Sequence, residues 1–262
     1  MTGVQTCALP ISVVKEASSE KVEPQKKITE NIRFPIVGIG ASAGGLTAFN
    51  AFFSGFPKDT DPGLAFILVQ HLAPDHSSIL ADLIRKYTPM QVFEVKDGMK
   101  VQVNCVYIIP PGYDMAFLND CLQLFEPSAP RGQRLPIDFL FRSLAQDLRE
   151  RAIGIVLSGT GSDGTLGIRA IKGEGGLVIA QTPDTTEFDG MPRSVLATGL
   201  VDFELPPGEM AAALLAYVAH ASGNLYAQRA AIKTPLLENA MKKIFILLRD
   251  RKSTRLNSSH RL

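Results

Sequence analysis

A serine, a histidine and an aspartate each stand shortly after an apolar, strand-like run of this sequence. Ser42 comes after FPIVGIG, His71 after LAFILVQ and Asp163 after AIGIVLSG. The carboxyl ends of neighbouring parallel strands lie side by side at one edge of a sheet, so the three side chains could come within hydrogen-bond reach there. A hydroxyl, an imidazole and a carboxylate so placed can act as nucleophile, base and orienting group. The spacing therefore favours the chemistry of a serine hydrolase.

The glycine-rich turn around the serine admits three interpretations. Gly40, Ser42 and Gly44 match G-x-S-x-G, the strand-to-helix elbow that exposes a nucleophilic serine. Gly38, Gly40 and Ala43 match the G-x-G-x-x-G/A fingerprint of dinucleotide sites. In the third interpretation the glycines only permit tight packing of strand and helix, and the serine caps the helix. The motif alone does not choose among them.

The second strand favours the elbow. A dinucleotide site needs an acidic residue at the end of that strand, about 20 residues beyond the glycines. Here the strand ends in His71, and Asp59 and Asp61 lie in a turn before it. His71 could instead be a hydrogen-bonded structural histidine, or a metal ligand together with Asp75 and His76. The spacing H-x-x-x-D-H lacks the helical geometry of zinc motifs, so no metal is predicted.

The aspartate completes the arrangement. Asp163 lies in TGSDGT, where it could accept a hydrogen bond from the histidine or cap the helix that follows. The glycines of this loop leave backbone N–H groups free to face an oxyanion. The chain order Ser, His, Asp differs from the Ser, Asp, His of ordinary α/β-hydrolases, which indicates a different family.

Strand-like and helix-like segments alternate from residue 34 onwards, and the strand-like runs are uniformly apolar. This pattern predicts an α/β fold: a doubly wound, mainly parallel sheet with helices on both faces. The middle of the chain is different, because VFEVKDGMKV, NCVYIIPP, DMAFLN and CLQLFEP are short and separated by turn residues. They predict a small antiparallel hairpin excursion.

The sequence divides into five segments. Residues 1–12 and 250–262 resemble translations of a sequencing adapter and are interpreted as artefacts outside the fold. Residues 13–33 are charged and poor in large apolar side chains, which is typical of a linker. Residues 34–222 form the expected globular domain. Residues 223–249 are expected to be a connection and the start of a truncated following domain.

Composition excludes several classes of protein. A net charge of +1 without a basic stripe gives no footprint for nucleic acid. No apolar run is long enough to span a bilayer, so no membrane insertion is expected. Three cysteines form neither a metal cluster nor an even disulfide framework. We therefore expect a cytoplasmic protein.

Five motifs together are recognisable: GIGASAGG, LVQHLAPDHSS, LPIDFLFRSLA, IVLSGTGSDGTLG and AQTPDTTEFDGMPR. In this order and spacing they closely resemble the catalytic domain of CheB-type chemotaxis protein-glutamate methylesterases, over about residues 34–221. The resemblance implies Ser42, His71 and Asp163 as a catalytic triad. It also implies that the backbone amide of Thr160 donates to the oxyanion. Methionine is usual at that position, but a main-chain donor tolerates the change.

The resemblance implies further features of the site. Met191, Pro192 and Arg193 match a segment expected to line the cleft, although a turn before a helix would explain the glycine and proline there equally well. Ala43 replaces a hydroxyl residue that is usual beside the nucleophile. The implied substrate is a glutamate methyl ester on a methyl-accepting chemotaxis receptor, with glutamine deamidation by the same route. No metal or organic cofactor is implied.

Two longer segments also resemble large fusion proteins in which this domain precedes a CheR-type receptor methyltransferase. They are LPIDFLFRSLAQDLRERAIGIVLSGTGSDGTLG and MKKIFILLRD. A CheR-type region in the same natural chain is therefore expected. The family's receiver domain is expected to be absent, because the linker before residue 34 is too short for it. Two other classes stay open: a dinucleotide-binding oxidoreductase and a non-catalytic signalling interaction module.

Overall fold

A seven-stranded parallel sheet organises the computed structural model, which describes residues 34–71, 77–127, 130 and 133–221. All of these residues belong to one compact unit. The strands of the main sheet lie in the order β10-β9-β8-β1-β2-β5-β3. In chain order the strands are β1 (Ile36–Ala41), β2 (Ala65–Gln70), β3 (Gln91–Glu94), β4 (Met99–Lys100), β5 (Cys105–Ile108), β6 (Asp114–Leu118), β7 (Cys121–Phe125), β8 (Ala152–Val156), β9 (Leu177–Gln181) and β10 (Phe203–Leu205).

Helices cover both faces of the main sheet, as predicted. They are α1 (Gly45–Ser54), α2 (Ser77–Tyr87), α3 (Pro136–Leu148), α4 (Thr165–Gly173), α5 (Gly190–Leu196) and α6 (Pro207–Ala221). Alternate residues of β2 enter two separate cores: Ile67 packs with α3, α4 and α5, whereas Phe66 packs with α1, α2 and α6. Burial on both faces explains why the strands are apolar throughout. The predicted doubly wound α/β class is confirmed.

The chain changes direction across the sheet between β1 and β8. Strand β1 lies in the middle and pairs in parallel with β2 on one side and with β8 on the other. The chain first runs outward from β1 through β2, then returns to β8 and continues to β9 and β10. In open α/β sheets such a switch point leaves a crevice at the carboxyl ends of the strands, which is where ligands bind.

The predicted antiparallel excursion is confirmed in part. Strands β4, β7 and β6 form a separate antiparallel sheet. The same prediction was wrong for Gln91–Glu94 and Cys105–Ile108, which pair in parallel with each other as β3 and β5 of the main sheet. All four residues of β5 are buried, as in an interior parallel strand, whereas β3 is the edge strand and exposes Gln91 and Glu94. The three-residue strand β10 was not predicted.

Several predictions fall on residues outside the described part of the chain. They are the two adapter-like segments 1–12 and 250–262, the linker 13–33 and the connection 223–249. These remain predictions. Within the described residues, the helices lack the combination of length and apolar character needed to cross a bilayer.

Candidate functional site

The turn after β1 forms a tight elbow around Ser42. Gly44 adopts a left-handed backbone with φ of 73°, and the amide of Ser42 donates to the carbonyl oxygen of Ser158 at 2.9 Å. A Cβ on Gly44 would lie 2.5 Å from the Ser158 hydroxyl, so only glycine fits there. The N-cap of α1 is Gly44, without a side-chain cap. Ser42 therefore does not cap the helix, and its side chain is available for another role.

The two glycines of the dinucleotide fingerprint, Gly38 and Gly40, lie within β1 rather than in the turn. Gly38 and Gly40 are in register with Ile67 and Val69 of β2. A Cβ on Gly38 would lie 2.7 Å from a methyl group of Leu144, so these glycines let α3 pack closely on the sheet. The dinucleotide fingerprint requires glycines in the turn itself, where the backbone approaches a pyrophosphate. The described geometry therefore speaks against a dinucleotide site.

His71 lies beside Ser42 at the same edge of the sheet. Ala41 and Gln70 are register partners, so Ser42 and His71 are the next residues of two adjacent strands, which lie about 4.8 Å apart. The amide of His71 donates to the carbonyl oxygen of Ala41 at 3.4 Å. The imidazole keeps 34% of its surface exposed. It can therefore be reached from solvent.

Asp163 is buried and contacts the imidazole directly. Its Oδ2 atom lies 2.9 Å from Nε2 of His71, and the carboxylate side chain is only 3% exposed. Three backbone amides also donate to this carboxylate: Ile137 at 3.0 Å, Asp138 at 2.9 Å and Gly164 at 2.8 Å. Four donors fix the orientation of the carboxylate. The structure thus brings Asp163 to His71 and His71 to the strand end of Ser42.

The partner of Nε2 determines the tautomer of the neutral imidazole. An ionised carboxylate can only accept, so Nε2 of His71 carries the proton that is donated to Asp163. Nδ1 then holds the free lone pair. Nδ1 is therefore the nitrogen that can take a proton from a nucleophile.

The loop between β8 and Asp163 exposes Thr160 and Gly161. Its base is fixed, because Gly159 donates to the carbonyl oxygen of Phe188 at 2.9 Å and accepts from the amide of Met191 at 2.8 Å. Among the described residues, no acceptor pairs with the amide of Thr160. With respect to that part of the chain, this N–H group can donate to an anionic oxygen.

The three residues predicted to line the cleft differ in their surroundings. Met191 is fully buried and packs against Gly159, next to Ser42. Pro192 is also buried, in the first turn of α5. The Arg193 side chain is 62% exposed and forms an ion pair with Asp189. Met191 therefore contacts the loop at Gly159, and Arg193 is the exposed member of the three that an incoming molecule can contact.

Sequence reasoning missed Ser158, which is 2% exposed and joins three segments. Its hydroxyl donates to the carbonyl oxygen of Ala43 at 2.7 Å and accepts from the hydroxyl of Thr186 at 2.5 Å. Its amide donates to the side-chain oxygen of Gln181 at 2.9 Å. The serine elbow is therefore tied to the segment before α5. A serine at the end of a fully apolar strand was the available signal.

Burial raises the pKa of two further carboxyl groups near Asp163. Loss of hydration is the main cause of the raised pKa of Asp138; the amide of Gly167 opposes this shift, and the charge of Asp163 adds to it. At Asp114, desolvation again raises the pKa most, Arg134 opposes it and Asp163 adds to it. Asp138 is 1% exposed and was not identified from the sequence.

No group of three or more metal-ligating side chains occurs among the described residues. Two members of the hypothetical metal set, Asp75 and His76, lie outside that part of the chain.

The fold and the site define a doubly wound α/β protein with serine, histidine and aspartate at the switch point of its sheet. The chain belongs to the CheB methylesterase family, whose sequence pattern matches residues 37–214. The crystal structure of the Thermotoga maritima CheB methylesterase catalytic domain superimposes with a TM-score of 0.66 and 30% identity, covering 71% of this chain and 100% of that domain. The predicted family resemblance is confirmed.

Two curated relatives extend the comparison. Protein-glutamate methylesterase/protein-glutamine glutaminase 1 of Myxococcus xanthus (strain DK1622) is 36% identical over 185 residues, which are 69% of this chain and 53% of the relative. An uncharacterized 104.1 kDa protein of Rhodobacter capsulatus is 44% identical over 129 residues, covering 48% of this chain and 13% of the relative. The chain thus spans about half the length of the Myxococcus methylesterase. Fusion to a CheR-type region stays a prediction.

Proposed function

We propose that this chain is a serine hydrolase that removes methyl groups from glutamate side chains of methyl-accepting chemotaxis receptors, and deamidates glutamines by the same route. One observation carries the proposal: Asp163 holds His71 at 2.9 Å, at the strand end adjoining Ser42, in a chain of the CheB methylesterase family. Curated relatives are named protein-glutamate methylesterase/protein-glutamine glutaminase. The same activity is the natural expectation for this site.

In the first half-reaction, Nδ1 of His71 takes the hydroxyl proton of Ser42 while Oγ bonds to the ester carbonyl carbon. The carbonyl oxygen becomes an oxyanion and receives the amide N–H of Thr160. When the tetrahedral intermediate collapses, the bond to methoxide breaks, and His71 returns the proton so that methanol leaves. The glutamyl group remains bound to Ser42 as an ester.

In the second half-reaction, His71 takes a proton from water as the water oxygen adds to the acyl carbon. Collapse breaks the bond to Ser42 Oγ, which recovers its proton, and a glutamate carboxylate is released. For a glutamine substrate the first leaving group is ammonia instead of methanol. The atoms balance without a metal or an organic cofactor.

Asp163 serves both half-reactions through the imidazole. It fixes the proton on Nε2 and stabilises the imidazolium that forms each time Nδ1 takes a proton. The three backbone donors keep its carboxylate in place. The carboxylate can therefore support His71 without reorganising during the reaction.

The exposure of the site fits a substrate carried on a protein. His71 is one-third exposed, and Thr160 and Gly161 face solvent. A glutamyl side chain projecting from a receptor helix could reach Ser42 without entering a deep pocket. The proposal includes the cytoplasmic location and the receptor partner expected from the sequence.

Methanol release from a methylated receptor preparation tests the proposal with the 262-residue chain. Ser42→Ala and His71→Ala should each abolish release, because each removes one member of the nucleophile-base pair. Ser54→Ala and His220→Ala are matched controls, because both residues are exposed and lie on helices away from the strand ends. They should release methanol at the parental rate.

The alternatives give other results. Labelling of Ser42 by a serine-reactive phosphonate, lost in Ser42→Ala, would exclude a catalytically idle interaction module. Binding of a nicotinamide cofactor that Ser42→Ala leaves unchanged would favour the oxidoreductase. A folded parent that releases no methanol and takes no phosphonate would refute the esterase.

A further inference from the structure

Helices α3 and α4 both begin without a cap of their own. The N-cap residues are Leu135 for α3 and Gly164 for α4, and neither provides a side-chain hydrogen bond. The first amides of a helix have no partner within the helix and need an acceptor when they are buried. Each of these helices obtains that acceptor from a carboxylate that lies within the other helix or just before it.

Asp163 supplies the acceptor for α3. This residue stands just before α4, yet its carboxylate accepts from the amides of Ile137 and Asp138 in the first turn of α3. The predicted alternative, a cap for the helix that follows, is therefore replaced by a cap for the helix that precedes it.

Asp138 supplies the acceptor for α4. Its Oδ1 atom accepts from the amide of Gly167 at 2.6 Å. The side chain is 1% exposed, so water does not compete for this donor. Asp163 and Asp138 thus form a reciprocal pair. Asp163 caps α3, which contains Asp138, and Asp138 caps α4, which begins just after Asp163.

Close packing of the two helices makes this arrangement rigid. A Cβ on Gly167 would lie 2.5 Å from Cβ of Phe141, so α4 approaches α3 at a distance only glycine permits. Gly164, between Asp163 and α4, has φ of 91°. The position of Asp163 is therefore set by where α4 begins, and Asp138 holds that beginning.

We propose that Asp138 is a positioning residue of the hydrolase: by capping α4 it fixes the turn that carries Asp163, and so aligns the Asp163 carboxylate with Nε2 of His71. The inference rests on the proposed function for its kinetic consequence only. Asp138 touches neither the substrate nor the imidazole. Its hydrogen-bond acceptor, rather than its charge, is what the role requires.

Two substitutions separate this role from a general effect on stability. Asp138→Ala removes the acceptor, whereas Asp138→Asn keeps an oxygen at the same place. We expect Asp138→Ala to lower kcat on the order of tenfold to a hundredfold with KM unchanged, because a small displacement of a catalytic group has that effect. Asp138→Asn should restore kcat. Asp147→Ala is the matched control, because its carboxylate also accepts a backbone amide, that of Asn119, but at the other end of α3.

A second readout does not depend on turnover. The proton shared by Nε2 of His71 and Asp163 should give a low-field proton magnetic resonance, absent in His71→Ala. We expect Asp138→Ala to broaden or shift it, and Asp138→Asn and Asp147→Ala to leave it in place. Spectra and rates are measured well below the melting temperature of every variant, so that lost stability alone cannot produce the change.

The outcomes are distinct. An unchanged resonance and parental kcat in folded Asp138→Ala would overturn the inference while leaving the esterase intact. A parent without esterase activity would refute the proposed function, and the resonance would still test the role of Asp138. Should Asp138→Ala fail to fold, Asp138→Ser takes its place: its shorter side chain should weaken both readouts, and full retention of both would overturn the inference.

Discussion

His71 Nε2 lies 2.9 Å from Oδ2 of Asp163, although the two residues follow strands on opposite sides of β1. The contact joins residues from both sides of the switch point, because the strands that precede them flank β1, the strand that leads to Ser42. Residues separated by 92 positions are thus joined at the place where a parallel sheet leaves its crevice.

Replacement of Asp163 tests this contact. Asp163→Asn keeps the size of the side chain, but its NH₂ group donates and cannot accept, so either Nε2 of His71 or the amide of Asp138 loses its acceptor. The proton of the imidazole should no longer be fixed on Nε2, so Nδ1 is less available as the base. We expect kcat to fall on the order of 10³- to 10⁴-fold, as for the loss of the orienting carboxylate in other triads. Methanol release and phosphonate labelling measure the effect. Asp147→Asn, near the end of α3, should react at the parental rate, and a similar loss there would argue against a specific role of Asp163.

The raised pKa of Asp138 predicts how stability depends on pH. Because burial raises the pKa of the folded carboxyl group, the folded state holds the proton at pH values where the unfolded chain has lost it. The contribution of Asp138 is therefore fully present below the ordinary pKa of aspartate, about 3.9, and is lost as the pH rises through the folded value. Asp138→Asn does not titrate. The stability of this variant relative to the parent should increase as the pH rises across that window.

Urea unfolding at neutral pH and below the ordinary aspartate pKa measures the difference. The free energy of unfolding of Asp138→Asn, relative to that of the parent, should be higher at neutral pH than at the acid pH. Asp147→Asn, at an exposed carboxylate, provides the comparison. A stability difference between Asp138→Asn and the parent that is the same at both pH values would contradict the prediction.

The fold was predictable where local sequence reports burial. Strands β1, β2, β8 and β9 are almost wholly buried, so their apolar runs were recognisable. Strands β3 and β5 were assigned to the wrong sheet, because short runs between turns do not reveal whether their partners lie in a parallel or an antiparallel sheet. Only the long-range pairing of β5 with β2 decides this.

The candidate site could be proposed from the sequence for a similar reason. Ser42, His71 and Asp163 were proposed because each follows a strand-like run, and a strand end marks the edge of the sheet. Asp138 and Ser158 were not, because their partners are distant: Asp138 accepts from a residue 29 positions away, and Ser158 donates to one 115 positions away. The serine after an apolar strand could have drawn attention to Ser158, but the partners of Ser158 and Asp138 cannot be read from one sequence.

Ser158 and Thr186 should be energetically coupled. The Thr186 hydroxyl donates to the Ser158 hydroxyl, which in turn donates to the carbonyl oxygen of Ala43 beside the nucleophile. Ser158→Ala leaves buried groups without partners and should cost about 1–3 kcal/mol in the free energy of unfolding. Thr186→Val breaks the same network, so the double variant should cost less than the sum of the single ones.

Urea unfolding of the four proteins in this cycle measures the coupling, and methanol release reports whether the elbow is displaced. We expect kcat to fall in Ser158→Ala, because Ala43 loses its anchor. Strictly additive free energies would show that the two hydroxyls act independently.

Gly44 should tolerate no side chain, for two separable reasons. Its φ of 73° is strained for any other residue, and a Cβ would lie 2.5 Å from the Ser158 hydroxyl. Gly63 has φ of 68° but nothing within 4 Å of an added Cβ. Gly63→Ala should therefore lower the free energy of unfolding only by the strain of a left-handed backbone, about 1–2 kcal/mol. Gly44→Ala should cost more and should also lower kcat by displacing Ser42. Equal losses of stability in the two variants, with parental kcat in both, would mean that the elbow adjusts freely and that the packing of Ser158 against Gly44 does not hold the nucleophile.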